Sequence, residues 1–196
     1  MYGRNKYFLL GVTSDIPYFW MYVAVEENAT LKDFDGLLRD VWLECCGHLS
    51  AFEFENVRYV SDHLTHGESI NEFRKIFGKI AYMLSMQMVE EMSMDVPVKD
   101  AFKQENRCRY VYDFGSSTVL KIRLLSTFEA ELGGICLIAR NELPEIVCDI
   151  CGRKAERLCV EGKYTWLCRK HVRRCRGYAR YRIVNSPRMG VCGYGA

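Results

Sequence analysis

The chain has 196 residues, of which 49% are hydrophobic and 27% are charged, and its formal net charge is +2. This composition is that of a globular protein and excludes a disordered one. The longest apolar run, residues 18–25, is far shorter than the roughly twenty residues that cross a bilayer, which excludes a transmembrane helix. The first residues show no signal-peptide pattern, so we expect a cytoplasmic protein without a membrane partner. In such a chain, ten cysteines indicate metal ligation rather than disulfides.

The N-terminal part contains strand-like segments and one clear helix. Residues 6–13 and 19–25 are rich in aromatic and branched side chains and are separated by a turn signal, which predicts two strands. A helix is predicted from Thr30, because Thr30 can cap a first turn that contains Asp33 and because apolar residues follow at helical spacing. Residues 51–59 alternate weakly and form the next predicted strand.

The following part contains further helices and strands. Apolar residues at helical spacing predict a helix over about 69–92, and a short helix is expected over 98–105. Residues 107–112 and 118–125 are strand-like and are joined by a polar connection that is typical of a hairpin. Residues 135–139 form the last predicted strand. Because strands and helices do not alternate regularly, the pattern predicts an α+β fold with a mixed or antiparallel sheet and two to three helices.

Charge and cysteine content both change sharply late in the chain. Residues 148–196 hold 12 Lys and Arg against 3 Asp and Glu, whereas residues 1–147 hold 15 against 22. Six of the ten cysteines lie in the same basic tail. We therefore predict an acidic α+β body over residues 1–145 and a small basic zinc-binding module over residues 146–196.

The tail carries a metal-ligand pattern. Cys148 and Cys151 form one closely spaced pair, and sixteen residues separate it from a second pair, Cys168 and His171. Two such knuckles can present three thiolates and one imidazole to a tetrahedral zinc ion, and Gly152 tolerates the positive φ of a tight knuckle. Four protein ligands leave no open position. We therefore predict a structural Zn²⁺ that supplies much of the folding free energy of the tail.

Three cysteines of the tail, Cys159, Cys175 and Cys192, have no partner in this pattern. They could bind a second zinc with a ligand from elsewhere, one of them could replace a ligand of the first zinc, or they could be small buried residues. His63 and His66 lie in a polar segment and are interpreted as a solvated pair.

Several segments resemble one protein family. Residues 110–118, Tyr-Val-Tyr-Asp-Phe-Gly-Ser-Ser-Thr, are similar to its most characteristic segment, and residues 48–52 resemble its His-Leu-x-x-Phe strand. Residues 139–144 and 185–194, the latter beginning with Asn-Ser-Pro-Arg, are similar to a zinc-bearing branch found in archaea and bacteria. The family is the plasmid pRiA4b open-reading-frame-three-like family, also labelled as a transposon passenger "TnpR" group. The resemblance extends over nearly the whole chain.

This resemblance implies an α+β fold with a C-terminal zinc module and an association with mobile elements, but it implies no activity. A serine recombinase needs an early serine backed by several arginines, and Ser14 has only Arg4 near it in sequence. The chain departs from the zinc-bearing branch at Cys159, which no second cysteine follows, and at His171, where cysteine is more usual. The resemblance therefore does not extend to a complete second metal site.

An Asp-Phe-Gly triplet at residues 113–115 matches the magnesium-binding triplet of kinases. Because the glycine-rich loop and the His-Arg-Asp loop of kinases are missing, it does not indicate a kinase. We interpret it as a hairpin connection in which Asp113 accepts hydrogen bonds from the backbone of the following serines and Gly115 has a positive φ. His48 could meet Asp113 across the sheet, and these two residues are the weak candidates for a catalytic site.

The tail also carries a dense run of basic side chains with tyrosines among them. Guanidinium groups pair bidentately with phosphates, and aromatic rings stack on bases, so we expect a non-enzymatic module that contacts DNA or RNA. Two alternatives stay open. The tail could dock on the acidic body or on a partner protein, or the chain could be an unrecognised enzyme with a site near His48 and Asp113. The basic residues are Arg169, Lys170, Arg173, Arg174, Arg176, Arg180 and Arg182.

Overall fold

The computed structural model of the chain describes residues 4–16, 18–61, 90–143, 145–160, 164–176 and 179–195. Most of the helix predicted over 69–92 lies outside these ranges, as do His63 and His66. Within them, no helix is long and apolar enough to span a membrane.

Eight strands of the described ranges form one sheet in the order β5-β4-β3-β6-β7-β1-β2-β8. All neighbouring strands are antiparallel except β4 and β5, which are parallel. This mixed sheet, together with two short α-helices, confirms the predicted α+β fold. The strands are β1 (Asn5–Ser14), β2 (Trp20–Glu26), β3 (Ser50–Glu53), β4 (Val57–Val60), β5 (Glu90–Ser93), β6 (Arg107–Tyr112), β7 (Thr118–Ala130) and β8 (Ile135–Arg140).

The first helix, α1 (Leu31–Leu38), begins as predicted. The Thr30 hydroxyl accepts a hydrogen bond from the backbone N–H of Asp33 at 3.1 Å, and the Asp33 carboxylate accepts one from the backbone N–H of Thr30 at 2.9 Å. This capping box satisfies two N–H groups that have no partner inside the helix. The helix continues into a π-helical turn, Arg39–Leu43, and its apolar face packs on the core of the sheet. The second helix, α2, is Val98–Ala101.

Several predicted boundaries differ from the structure. Residues 51–59 are not one strand but the hairpin of β3 and β4. The end of the helix predicted over 69–92 is wrong, because residues 90–92 belong to β5. The side chains of β5 are exposed, so backbone pairing with β4, and not burial of an apolar helix face, decides their conformation. The strand that begins at Thr118 extends to Ala130, since β1 pairs with it from Leu120 to Ala130.

The tail forms its own three-stranded antiparallel sheet in the order β10-β9-β11. Its strands are β9 (Arg157–Val160), β10 (Tyr164–Leu167) and β11 (Ala179–Arg182), and a 3₁₀ turn, Val172–Arg174, precedes β11. The small core of the tail consists largely of cysteines and is separate from the core of the body. The boundary at residues 145 and 146 stays a prediction.

Residues 183–195, called here the C-terminal segment, return from the tail to the body. The side-chain amide of Asn185 exchanges two hydrogen bonds with Asn141, at 2.7 and 2.8 Å. The Ser186 hydroxyl donates to the carbonyl of Trp42 at 2.5 Å. Arg188 is completely buried and pairs with Asp113. These contacts place the C-terminal segment against the π-helical turn and against the connection between β6 and β7.

Candidate metal centres

The four ligands predicted in the tail lie together in the structure. Cys148, Cys151, Cys168 and His171, the first Cys/His group, have their ligand atoms within 4.8 Å of one another, and this group could hold a metal ion. The Cys151 and Cys168 sulfurs are 3.8 Å apart, and His171 Nδ1 is 3.5 and 3.6 Å from the sulfurs of Cys148 and Cys168. A tetrahedron with ordinary zinc bond lengths has sulfur–sulfur edges of about 3.8 Å and sulfur–nitrogen edges of about 3.5 Å. The measured distances match these edges.

Two tight backbone turns aim these ligands inward. In the first turn the N–H of Gly152 donates to the carbonyl of Cys148 at 2.9 Å, and Gly152 has the predicted positive φ of 68°. In the second, the N–H groups of His171 and Val172 both donate to the carbonyl of Cys168 at 2.9 Å. Each turn brings a second ligand back toward the first.

The first turn is fastened to β10, the strand that leads into the second turn. The N–H of Asp149 donates to the carbonyl of Trp166 at 3.0 Å, and the N–H of Trp166 donates to the carboxylate of Asp149 at 2.7 Å.

Burial acts to raise the pKa of the Cys148 thiol, but hydrogen bonds from the backbone of Cys168 and from the His171 ring bring it down to about 6. At neutral pH this sulfur is therefore a thiolate, the form that binds metals.

Cys159 and Cys175 do not belong to the first Cys/His group. They form a disulfide with Cα atoms 5.9 Å apart, and both are buried in the core of the tail. The preference for metal ligation over disulfides was therefore wrong for these two residues. The pairing arises because β9 carries Cys159 into the same small core that receives Cys175 after the 3₁₀ turn, at a separation that suits a disulfide.

A second Cys/His group was not predicted as a set. Cys45, Cys46, His48 and Cys192 also have their ligand atoms within 4.8 Å of one another and could hold a metal ion. The Cys46 sulfur is 3.5 Å from that of Cys45 and 3.7 Å from that of Cys192. His48 Nε2 is 2.9 Å from the Cys46 sulfur and 3.2 Å from the Cys192 sulfur. Cys192 is a candidate ligand in the sequence, but Cys45 and Cys46 were not predicted to be ligands. The Cys-Cys-x-His run that they form with His48 is itself a signal of metal binding.

A buried arginine shapes the loop that carries three of these residues. Arg39 lies in the π-helical turn, where its Nε donates to Asp35 at 2.6 Å and its Nη1 to Glu44 at 2.9 Å. Its Nη2 donates to the carbonyl of His48 at 2.8 Å. The N–H of Gly47 donates to the other oxygen of Glu44 at 2.5 Å. The loop is thus folded around two charged side chains that hold both of its ends.

Asp113 connects this loop to the C-terminal segment. One carboxylate oxygen accepts from the N–H groups of Gly115 and Ser116 at 3.0 and 3.1 Å. The other lies 2.6 Å from Arg188 Nη2 and 3.5 Å from His48 Nε2. Burial acts to raise the pKa of Asp113, but the Ser116 N–H and Arg188 lower it overall. The positive φ predicted for Gly115 is wrong: Asp113 itself has a φ of 64°, which its local hydrogen bonds make tolerable.

The structure therefore brings His48 and Asp113 together, as the enzyme hypothesis required. The same His48 nitrogen, however, faces the thiols of Cys46 and Cys192 at shorter distances than the Asp113 carboxylate. Its surroundings are those of a metal ligand more than those of a general base.

The predicted nucleic-acid residues of the tail are all exposed. None of them forms an ion pair with another residue in the described ranges. Arg180 donates to the carbonyl of Cys175 at 3.2 Å. A shallow pocket beside the first Cys/His group carries five basic side chains and one acidic one. Its lining residues are Arg153, Lys154, Glu156, Cys168, Arg169, Lys170 and Arg173.

Comparison with known proteins gives a similarity in structure but none to a known sequence family. No protein-family model and no curated protein matches this chain. The crystal structure of a protein of unknown function, MM3350 from Methanosarcina mazei Go1, is similar with a TM-score of 0.48 and 20% sequence identity. The similarity covers 70% of this chain and 69% of that one. It assigns no function.

Proposed function

We propose that the protein is a non-enzymatic zinc protein that contacts nucleic acid through the exposed basic side chains of its tail. The observation that carries the proposal is the set of seven exposed basic residues, none of them in an ion pair with a described residue, on the same tail as a Cys/His group with tetrahedral spacing.

Zinc is the metal that fits the first Cys/His group best. The group offers three sulfurs and one imidazole nitrogen and includes no carboxylate, a donor set that suits zinc and not calcium or magnesium. With four protein ligands the ion has no position for substrate, so its role is structural. Three thiolates and one Zn²⁺ sum to a single negative charge, which leaves the tail strongly basic.

The contacts between the tail and the body support nucleic acid over self-docking as the role of the basic residues. The hydrogen bonds to the body come from the C-terminal segment, among them those of Asn185, Ser186 and Arg188. None of the seven basic residues donates a hydrogen bond to a body residue in the described ranges. Their charges are therefore available to a partner.

The basic lining of the pocket beside the first Cys/His group supports the binding of phosphate groups. Arg153, Lys154, Arg169, Lys170 and Arg173 converge there with only Glu156 opposing them. Arginine binds phosphate bidentately, and the fixed backbone turns around the metal hold these side chains on one surface. No recognition motif for base edges is present in the sequence, so binding should depend on the nucleic-acid backbone.

Backbone-driven binding predicts a steep dependence on salt. If four to six basic residues engage phosphates, the logarithm of duplex DNA affinity against the logarithm of salt concentration should fall with a slope of about −4 to −5, at about 0.9 per contact. Replacing Arg173, Arg174 and Arg176 with Gln should flatten this slope by roughly 2 to 3 without loss of zinc. Fluorescence anisotropy with labelled duplex DNA and single-stranded RNA measures both effects.

The matched control removes the same charge from the body. Lys32, Lys99 and Lys103 are exposed basic residues near α1 and α2, and their joint replacement with Gln should leave the slope unchanged. If neither DNA nor RNA binds at low salt while zinc is retained, the proposal is wrong. An equal loss of affinity in both triple variants would show a general effect of charge. That result would also contradict the proposal.

We also propose that the chain belongs to the plasmid pRiA4b open-reading-frame-three-like family. Support comes from the two most characteristic segments: one contains Asp113, the other contains Arg188, and these residues form a buried ion pair. A structure of an accepted member of the family should contain the same pair. A member that carries both motifs but keeps them apart would contradict the assignment.

A further inference from the structure

The second Cys/His group is assembled from two distant parts of the chain. Cys45, Cys46 and His48 lie in the loop that follows the π-helical turn, and Cys192 lies in the C-terminal segment. His48 Nε2 and the Cys46 sulfur approach the Cys192 sulfur to 3.2 and 3.7 Å across sequence separations of 144 and 146 residues. Local sequence cannot produce this convergence; it requires the docking of the C-terminal segment on the body.

The backbone around Cys192 is shaped to deliver its thiol to this place. Cys192 has a φ of 47°, and its neighbours Gly190 and Gly193 have φ values of 80° and 77°. The N–H of Gly190 donates to the carbonyl of Tyr194 at 3.1 Å, and the N–H of Tyr194 donates to the carbonyl of Val191 at 2.9 Å. A cysteine in the left-handed region persists only where its surroundings fix it. Here the fixed turn places the thiol against His48.

We infer that Cys45, Cys46, His48 and Cys192 form a second zinc site, which fastens the C-terminal segment to the body. The donor set is again three sulfurs and one imidazole nitrogen, the set expected of a structural zinc. The sulfur–sulfur distances of 3.5 and 3.7 Å are close to the tetrahedral edge of about 3.8 Å.

The imidazole needs a small adjustment to complete the tetrahedron. His48 Nε2 is 2.9 and 3.2 Å from two of the sulfurs, closer than the edge of about 3.5 Å in a zinc site. The His48 side chain is 30% exposed, so its ring has room to move outward when an ion enters. Buried Arg188 pairs with Asp113 and also hydrogen-bonds to the Cys45 thiol, so it contacts one of the four candidate ligands.

The two sites differ in exposure, which makes them distinguishable. In the first, Cys148, Cys168 and His171 are buried, whereas in the second both Cys46 and Cys192 are exposed. A chelator should therefore reach the second ion sooner. We expect two zinc equivalents per chain, with one removed quickly and one slowly by a colorimetric chelator.

The test uses the full chain, purified in oxygen-free buffer without added thiols, with zinc measured by elemental analysis. Cys46→Ser alters an exposed residue and should lower the content from two equivalents to one, abolishing the fast phase of release. Cys151→Ser should also give one equivalent but abolish the slow phase. The control is Cys136→Ser, which alters a cysteine outside both groups and should retain two equivalents.

The role of the second ion is measured by hydrogen exchange of the peptide that covers the C-terminal segment. Cys46→Ser should raise its exchange rate by at least tenfold, whereas Cys136→Ser should not. Two outcomes would overturn the inference: a wild-type chain with one equivalent that Cys46→Ser leaves unchanged, or a Cys46–Cys192 disulfide in place of the ion. A Cys46→Ser chain that loses one zinc but keeps wild-type exchange would overturn the fastening role.

Discussion

Replacing Cys168 with Ser should remove zinc from the first Cys/His group and unfold the sheet of the tail, while the eight-stranded sheet of the body stays folded. The tail is short and highly charged, and its core consists largely of the cysteines themselves. Binding of a structural zinc contributes about 10–16 kcal/mol in small modules, as much as the whole stability of a typical domain. Without the ion this core cannot hold β9, β10 and β11 together.

Zinc content and hydrogen exchange measure this result together. Zinc should fall by one equivalent, and the amides of β9 and β10 should lose protection while those of β1 and β7 keep theirs. The Cys159–Cys175 disulfide crosslinks the tail but closes only a short loop, so it should not preserve the sheet. The control Cys136→Ser should change neither quantity. Persistent protection of β9 after zinc loss would mean that the metal does not stabilise the tail.

The first Cys/His group was predictable because its information is local. Each pair of ligands lies within four residues of chain, and a turn of that length must bring its ends together. The positive φ of Gly152 at the tight turn was predicted correctly for the same reason. The cap of α1 at Thr30 and Asp33 and the hairpin of β6 and β7 are also local, and they appear where the sequence placed them.

The second Cys/His group was missed because its fourth ligand, Cys192, comes from a distant part of the chain. Cys192 meets His48 only after the C-terminal segment returns to the body through Ser186 and Arg188. Nothing in the spacing of the cysteines encodes that return. The Cys159–Cys175 disulfide was not predicted for a similar reason. Its two residues become neighbours only inside the core of the tail.

One error in the fold comes from an interaction outside the segment concerned, and another from a side chain inside it. Glu90 to Ser93 adopt a strand because β4 offers them backbone partners, although the preceding periodicity favoured a helix. In the Asp113 turn the residue with positive φ could not be chosen from composition, because aspartate and glycine both tolerate it. The side chain of Asp113 decided, since its hydrogen bonds to the N–H groups of Gly115 and Ser116 need that conformation.

Replacing Arg188 with Met should destabilise the protein by about 3–5 kcal/mol, because it leaves the Asp113 carboxylate buried without its charged partner. Arg188 is completely buried; its Nη2 donates to Asp113 at 2.6 Å, and its Nη1 donates to Ser116 and Thr118 at 3.1 Å. The guanidinium also lies 4.7 Å from the centre of the Tyr112 ring. Urea denaturation measures the free energy of unfolding.

Two further variants separate the ion pair from the loss of packing. The double variant Arg188→Met with Asp113→Asn removes both charges, so its destabilisation should be smaller than the sum of the two single effects by at least about 1 kcal/mol. Arg182→Met alters an exposed arginine of the same tail and should change stability by less than about 0.5 kcal/mol. Because Arg188 connects the C-terminal segment to Asp113, Arg188→Met should also speed hydrogen exchange of residues 183–195. If that segment stays protected while the free energy of unfolding falls, the pair stabilises the Asp113 turn alone and does not hold the C-terminal segment in place.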